Sequence, residues 1–270
     1  MSRLRFRVEG VGFWAPTLPG WQIARAAFRG EGGPVEPPAK RPAPEILAPA
    51  ERRRAPDSVA LALEVAAAAV RESGRDATTL ASIFTSAHGD LAVNDYMCST
   101  LASQPTLISP TRFHNSVHNA AAGYWTIATG CMAASTALSA FDRSFAAGLL
   151  EAATQCVADD RPVLLVAFDV QATGALASVT DSEGLLAAAL VLAPLASTGV
   201  PASNGFEATL VRGPATAAPL HSRAARALAG NAMADVLPFL EALALAATAP
   251  LELPLSGSLA LHLAPADPAA

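Results

Sequence analysis

The sequence predicts an α/β fold, on three observations. Residues Pro162 to Phe168 (PVLLVAF) are nearly all apolar, as a strand buried on both faces of a central sheet requires, and a similar run follows from about Leu185 to Ala193. Helical patterns precede them: Val59, Leu63, Ala66 and Val70 recur at helical spacing on one face of Asp57 to Ser73, and a second helix spans about Arg143 to Val157. Strand and helix alternate along the chain, which is the signature of the class.

The remaining elements follow in order. Leu4 to Phe13 alternates and reaches Gly10 and Gly12, which suggests a strand entering a tight turn. Residues 30–50 are a Pro- and Gly-rich excursion, a loop outside the core. Gly74 is a natural stop for the Asp57–Ser73 helix. Leu80 to Ser86 reads as a buried strand that runs into a turn at Ala87-His88-Gly89-Asp90, and Asn94 to Ser103 as helix. Phe206 to Arg212 and Leu259 to Leu263 read as strands, and Met233 to Ala246 as a helix with Pro238 in its first turns. No short internal repeat is visible.

Composition narrows the function. Hydrophobic residues make up 52% of the 270 and charged ones only 15%, against about 25% charged in an ordinary soluble domain. Either alanine inflates the apolar count, or apolar surface is hidden against another protein. A net charge of −5 without a basic stripe excludes nucleic acid as the main partner. The triplet Arg52, Arg53, Arg54 reads as the solvated start of a helix in preference to a phosphate or carrier-protein contact. Cys98, Cys131 and Cys156 are too scattered for a disulfide framework or a zinc site. The first residues carry no signal-peptide pattern and no stretch reads as a membrane span, so a cytoplasmic location is expected.

One segment stands apart. Phe113 to Phe141 contains no Asp, Glu, Lys or Arg, and its polar residues are His, Asn, Ser, Thr and Tyr. An uncharged segment able to hydrogen-bond suits a buried crossing or a subunit interface. Within and around it stand Ile108-Ser109-Pro110, then Ser116-Val117-His118-Asn119-Ala120-Ala121-Ala122-Gly123-Tyr124-Trp125, then Ile127-Ala128-Thr129-Gly130. This run resembles the core of the β-ketoacyl synthases. More specifically, Phe113 to Ala120 and Ser144 to Ala152 resemble the chain-length-factor-like proteins found with aryl polyene synthases. The detailed resemblance covers residues 80–195 and weakens after 196. It implies a single thiolase-like (ketosynthase) domain over 1–270, truncated, with an incomplete and divergent C-terminal part.

In that family the run leads to a strand and an elbow where a Cys opens a long helix, whose N-terminal N–H groups lower the thiol pKa. Laid on this sequence without gaps, the strand is Ser135 to Ala140, the elbow Phe141-Asp142-Arg143-Ser144, and Asp142 takes the nucleophile's place. A carboxylate is a poor substitute in acyl transfer; at a helix start it is a good N-cap. The family's two catalytic histidine motifs have no counterpart, since His221 and His262 lie in unrelated contexts. The resemblance therefore implies a subunit without catalytic residues or cofactor. Its partner would be an active β-ketoacyl synthase, and the acyl carrier protein would be reached through that complex. By the same resemblance Arg112, Phe113, His114, Asn115, Ser116, Val117, His118, Asn119, Tyr124 and Trp125 lie at the interface or acyl tunnel. His114, Asn115, His118 and Asn119 are also expected to hydrogen-bond buried backbone.

The alternative is a small acyl-transfer or thioester-hydrolysing enzyme that uses Cys131 with His114 or His118. Against it, Cys131 follows a helix C-terminus, where the dipole raises a thiol pKa, and reads as a small buried hydrophobe. Cys98 and Cys156 read as helix-packing residues. His114 and His118 are at i,i+4 spacing, but no third ligand is nearby and no metal site is expected.

Overall fold

The computed structural model describes residues 3–195 and 204–266; the start of the divergent C-terminal part, 196–203, lies outside them. In chain order the elements are β1 Leu4–Trp14, α1 Trp21–Phe28, α2 Pro49–Arg54, α3 Asp57–Ser73, β2 Ala81–Thr85, α4 Leu91–Ser103, α5 Pro110–His114, α6 Ala120–Thr129, β3 Ser135–Leu138, α7 Ser144–Ala158, β4 Val163–Asp169, β5 Leu186–Pro194, β6 Gly205–Arg212, α8 Arg223–Arg226, α9 Leu237–Leu245, β7 Leu251–Ser256 and β8 Leu259–Pro265. They build one eight-stranded sheet in the order β3-β2-β4-β5-β1-β6-β8-β7. β2 runs parallel to β3 and β4, and the other pairings are antiparallel. Among the described helices none is long and apolar enough to cross a membrane.

The apolar strands have the expected cause. Val163, Leu165 and Ala167 of β4 join α7 on one face, while Leu164, Val166 and Phe168 join α3 on the other. β5 alternates likewise, with Leu186, Ala188, Leu190 and Leu192 on the α7 face and Ala187, Ala189 and Val191 on the α3 face. Both strands are covered twice, so neither needs a polar side.

β1 corrects the sequence reading. The strand continues through Gly10 and Gly12 to Trp14 without turning. These glycines mark close approach instead: a Cβ at Gly10 would overlap the Ala69 carbonyl oxygen, and one at Gly12 the Val65 carbonyl oxygen. α3 rests directly on the backbone of β1 there. It is buried well beyond one face, from Ser58 to Val70, because more chain packs on its outer side. Part of that cover comes from 30–50, which is irregular as expected but not outside the core. Pro42, Pro44 and Leu47 are buried, and Leu47 joins the α3 core.

Other boundaries shift for local reasons. α4 begins at Leu91, because Asp90 accepts the Val93 N–H and caps it. α9 starts at Leu237 with Pro238 in its first turn, as the missing N–H of proline permits. β7 escapes a sequence reading because of Pro254, which is tolerated on this edge strand. In the divergent C-terminal part β6, β8 and β7 extend the sheet beyond β1, and Leu253, Leu261 and Leu263 join the same core as α7.

Replacing Gly12 with Ala should lower stability by about 2 kcal/mol or more, since the new methyl meets backbone that cannot yield. Urea unfolding of G12A against the parent measures it, and an unchanged midpoint would contradict the packing described.

Candidate functional site

Parallel β2, β3 and β4 bring the chain leaving each of them to one end of the sheet. Their junction is organised by a buried carboxylate, Asp169, only 1% exposed. It accepts from the Ser86 hydroxyl at 2.7 Å, the Ala87 N–H at 2.8 Å and the His88 N–H at 3.3 Å. The Ser86 hydroxyl in turn accepts from the Gly89 N–H, and Ser139 donates to the Ala87 carbonyl. Burial pushes the Asp169 carboxyl up, and these hydrogen bonds pull against it.

The chain after β3 forms a sharp elbow. Phe141 has φ +56°, a conformation unusual for a bulky residue and a mark of local strain. Ser144 ties the bend, donating to the Phe141 carbonyl at 2.7 Å and accepting from the Ala140 N–H at 3.0 Å. Thr85 at the end of β2 donates to the Ser144 carbonyl at 2.9 Å. The Phe141 ring lies edge-on to His88, centroids 5.2 Å apart, and His88 Nε2 shares a 2.6 Å hydrogen bond with the Thr180 hydroxyl. His118 Nε2 donates to the Ser86 carbonyl at 3.1 Å.

Asp142 lies on this elbow, but it is not the cap of α7. Its side chain is 68% exposed and faces Arg143 at 3.7 Å. The cap comes from far along the chain: Asp235 accepts from the Phe145 N–H at 2.9 Å and the Ala146 N–H at 3.2 Å. No local signal could reveal a partner ninety residues away. Burial pushes the Asp235 carboxyl well above the ordinary 3.8, with Asp169 and Asp142 adding to the rise and the two N–H bonds opposing it.

The uncharged segment is mostly surface in the single chain. Arg112, Phe113, His114, Val117, His118 and Asn119 are exposed, Ser116 and Tyr124 are half-buried, and Asn115 is buried. Of the four residues expected to bond buried backbone, His118 does so, while His114 packs edge-on to Tyr124. Trp125 is a correction: 1% exposed, it fills the core beneath α3. Burial raises the Tyr124 phenol pKa, Glu51 adds to this, and an Asn115 hydrogen bond lowers it. Large apolar side chains stand out to solvent nearby, Phe113 at 62%, Ile127 at 82% and Met132 at 94% exposed. A groove of about 770 Å³ runs between α2, α5 and α6, lined by Leu47, Val117, Tyr124 and Ile127. β3 is the end strand of the sheet, paired with β2 alone among the described strands.

The cysteine-dyad alternative fails on geometry. The Cys131 thiol is buried and donates to the Leu80 carbonyl, whereas His118 bonds the Ser86 carbonyl. Leu80 and Ser86 stand at opposite ends of β2, ~20 Å apart along extended chain. His114 is turned to Tyr124. Cys156 is buried as expected, its thiol pushed up to about 12 chiefly by burial; Cys98 is exposed, against the packing role expected of it. Among the described residues no group of three His, Cys, Asp or Glu is placed to hold a metal.

The sequence profile of the β-ketoacyl synthase N-terminal domain matches residues 27–247. No curated protein sequence matches the chain. Among solved structures, it is similar to a chain of the ketosynthase (ApeO) in complex with its chain length factor (ApeC) from Xenorhabdus doucetiae, at 24% identity and TM-score 0.73, covering 97% of this chain and 99% of that one. A chain of the type II polyketide complex AntDE:AntF is similar at 14% identity and TM-score 0.72, with 97% and 99% covered. The ishigamide ketosynthase/chain length factor follows at 15% identity and TM-score 0.60, with 77% and 66% covered. At these identities the structural likeness establishes the thiolase-like ketosynthase fold.

Two measurements check this site. A carboxyl raised by folding contributes stability below its ordinary value of 3.8 and loses it as pH rises through the raised value. Asp235→Asn keeps an acceptor for the two N–H groups without the buried charge, so its stability relative to the parent should improve in urea unfolding as pH rises above the ordinary carboxyl value of 3.8. Asp235→Ala, lacking both the charge and the acceptor, should follow the same pH trend about 1 kcal/mol below Asp235→Asn. Separately, iodoacetamide near neutral pH should label Cys98 in the native chain and reach Cys131 and Cys156 only after unfolding. Rapid native labelling of Cys131 would contradict the burial described.

Proposed function

The chain belongs to the β-ketoacyl synthase N-terminal-domain family, and from that premise we propose that it is a non-catalytic chain length factor. It pairs with an active β-ketoacyl-carrier-protein synthase and shapes that enzyme's acyl tunnel in aryl polyene biosynthesis, with the acyl carrier protein served through the complex. The observation that carries this reading is the elbow. Strand, strained turn and long helix are all present, yet the residue presented there is an exposed carboxylate, Asp142, ion-paired to Arg143. A carboxylate so placed forms only an unstable anhydride with an acyl group. The nearby imidazoles are engaged, His88 with Thr180 and His118 with the Ser86 carbonyl.

A partner is supported by the apolar side chains left in solvent and by the open edge of β3. Arg112, Phe113, Ser116, Val117 and Asn119 form the face assigned to the junction, and the ring of Phe113 is the bulky group able to act as a stop. Each two-carbon unit needs ~2.5 Å more tunnel, from two zigzag bonds of ~1.5 Å. One side chain can thus decide length without taking part in chemistry.

The purified chain alone should not elongate malonyl-carrier substrates, and Asp142→Cys should not confer that activity, because no free histidine faces the new thiol. Elongation by either would refute the proposal. In the reconstituted complex, Phe113→Ala should lengthen the product by about one two-carbon unit at constant synthase loading, read by mass spectrometry. Val117→Asp should weaken co-purification with the synthase.

A further inference from the structure

A second cavity, of about 570 Å³, opens between the Pro-rich excursion, α3 and α6, and its wall includes Trp14, Glu45, Glu64, Arg71 and Trp125. Glu45, Glu64 and Arg71 are charged, yet among the described residues none of them forms a salt bridge. The spacing on α3 explains why. Glu64 and Arg71 are two helical turns apart, which puts them on one face but ~10 Å from each other along the axis. Ala67 stands between them on the same wall and has no side chain long enough to bridge the gap.

The wall also holds an orphaned donor. Trp125 is 1% exposed, and its buried indole Nε1–H has no acceptor. Folded chains keep few such groups, because burying one unpaired is destabilising. The acids have the opposite want. Burial pushes the Glu64 carboxyl up; Arg71 pulls against this, Glu45 adds to the rise and Arg52 lowers it. A half-buried carboxylate in that state gains from a cation brought against it. One cavity thus presents two carboxylates that lack a cation, a guanidinium that lacks an anion and an indole N–H that lacks an acceptor.

We propose that this cavity binds a free α-amino acid with an apolar side chain. The ammonium group lies between Glu45 and Glu64, and the carboxylate accepts from Arg71 and from Trp125 Nε1. A ligand of one sign alone would leave the other side of the cavity unpaired; a zwitterion serves both. Pro42, Pro44 and Ile46 supply an apolar wall for the side chain. The volume lies within the usual range of small-molecule sites. The cavity shares no residue with the elbow at Phe141 to Ser144, so the proposal stands apart from the chain-length reading.

Isothermal titration calorimetry with L-leucine tests it on the full chain. Saturable binding is expected, weaker by about tenfold in Glu64→Gln and in Arg71→Gln, since each removes a charge-assisted bond. Trp125→Phe should cost about threefold by deleting the indole donor. L-Leucinamide lacks the carboxylate and 4-methylpentanoate lacks the ammonium group, so each should bind about tenfold more weakly than L-leucine. Absence of L-leucine binding would overturn the proposal. So would 4-methylpentanoate binding as tightly as L-leucine, or affinity unchanged in Glu64→Gln and Arg71→Gln with their thermal unfolding intact. None of these outcomes bears on condensation or product length, so failure here and failure of the chain-length reading are distinguishable.

Discussion

The contact between α3 and the bare backbone of β1 is the constraint on which the architecture depends. Gly10 and Gly12 let the Ala69 and Val65 carbonyls approach a strand that any side chain would hold away. With the helix seated so deeply, the alanines Ala60, Ala62, Ala66 and Ala69 become as useful as larger residues, because there is no gap to fill. A helix buried well beyond one face needs a further layer. Trp125 from α6 and Leu47 from the Pro-rich excursion provide it. That layer carries the rest of the uncharged segment to the outside of the molecule.

The elbow depends on a different device. Parallel strands deliver three chain ends to one place, and their backbone N–H groups need acceptors once buried. Asp169 satisfies one cluster and Asp235 another. Both carboxyls are raised by burial, so the chain accepts an electrostatic cost to keep the junction's shape. The residue on the elbow can vary freely under this scheme. Ser144, Thr85 and Asp235 hold the bend, and Asp142 contributes no bond to it beyond its own ion pair with Arg143. The bend therefore keeps its shape without help from the side chain at its tip.

The sequence disclosed what local periodicity encodes. β4 and β5 were legible because both faces are covered and every position is apolar; α3 and α7 were legible from spacing and length. The elbow was reachable through its resemblance to a family, down to the turn at Phe141-Asp142. What stayed hidden depends on distant neighbours. A glycine signals a turn and a close approach with the same letter, so β1 read as ending early. Asp235 caps a helix ninety residues away, and a sequence window assigns that cap to the nearer Asp142. Trp125 and Cys98 exchanged roles for a similar reason: helical spacing gives a face but not what lies opposite. Pro254 concealed β7, since only topology makes that strand an edge.

The low charge content can now be apportioned between its two causes. Alanine accounts for part of it, as the tight α3 packing and the Ala187–Ala189 stretch of β5 show. It does not account for Phe113, Val117, Ile127, Met132 and Phe141, all large and all exposed. These come from the stretch 113–141, which lacks Asp, Glu, Lys and Arg. A surface kept free of Asp, Glu, Lys and Arg costs little to dehydrate, because few charges need new partners when water leaves. Hydroxyl, amide and imidazole groups can still pair across a contact and fix its register. Solubility alone would favour charges there; the association proposed for this chain favours their absence, in keeping with the segment beside the open strand edge.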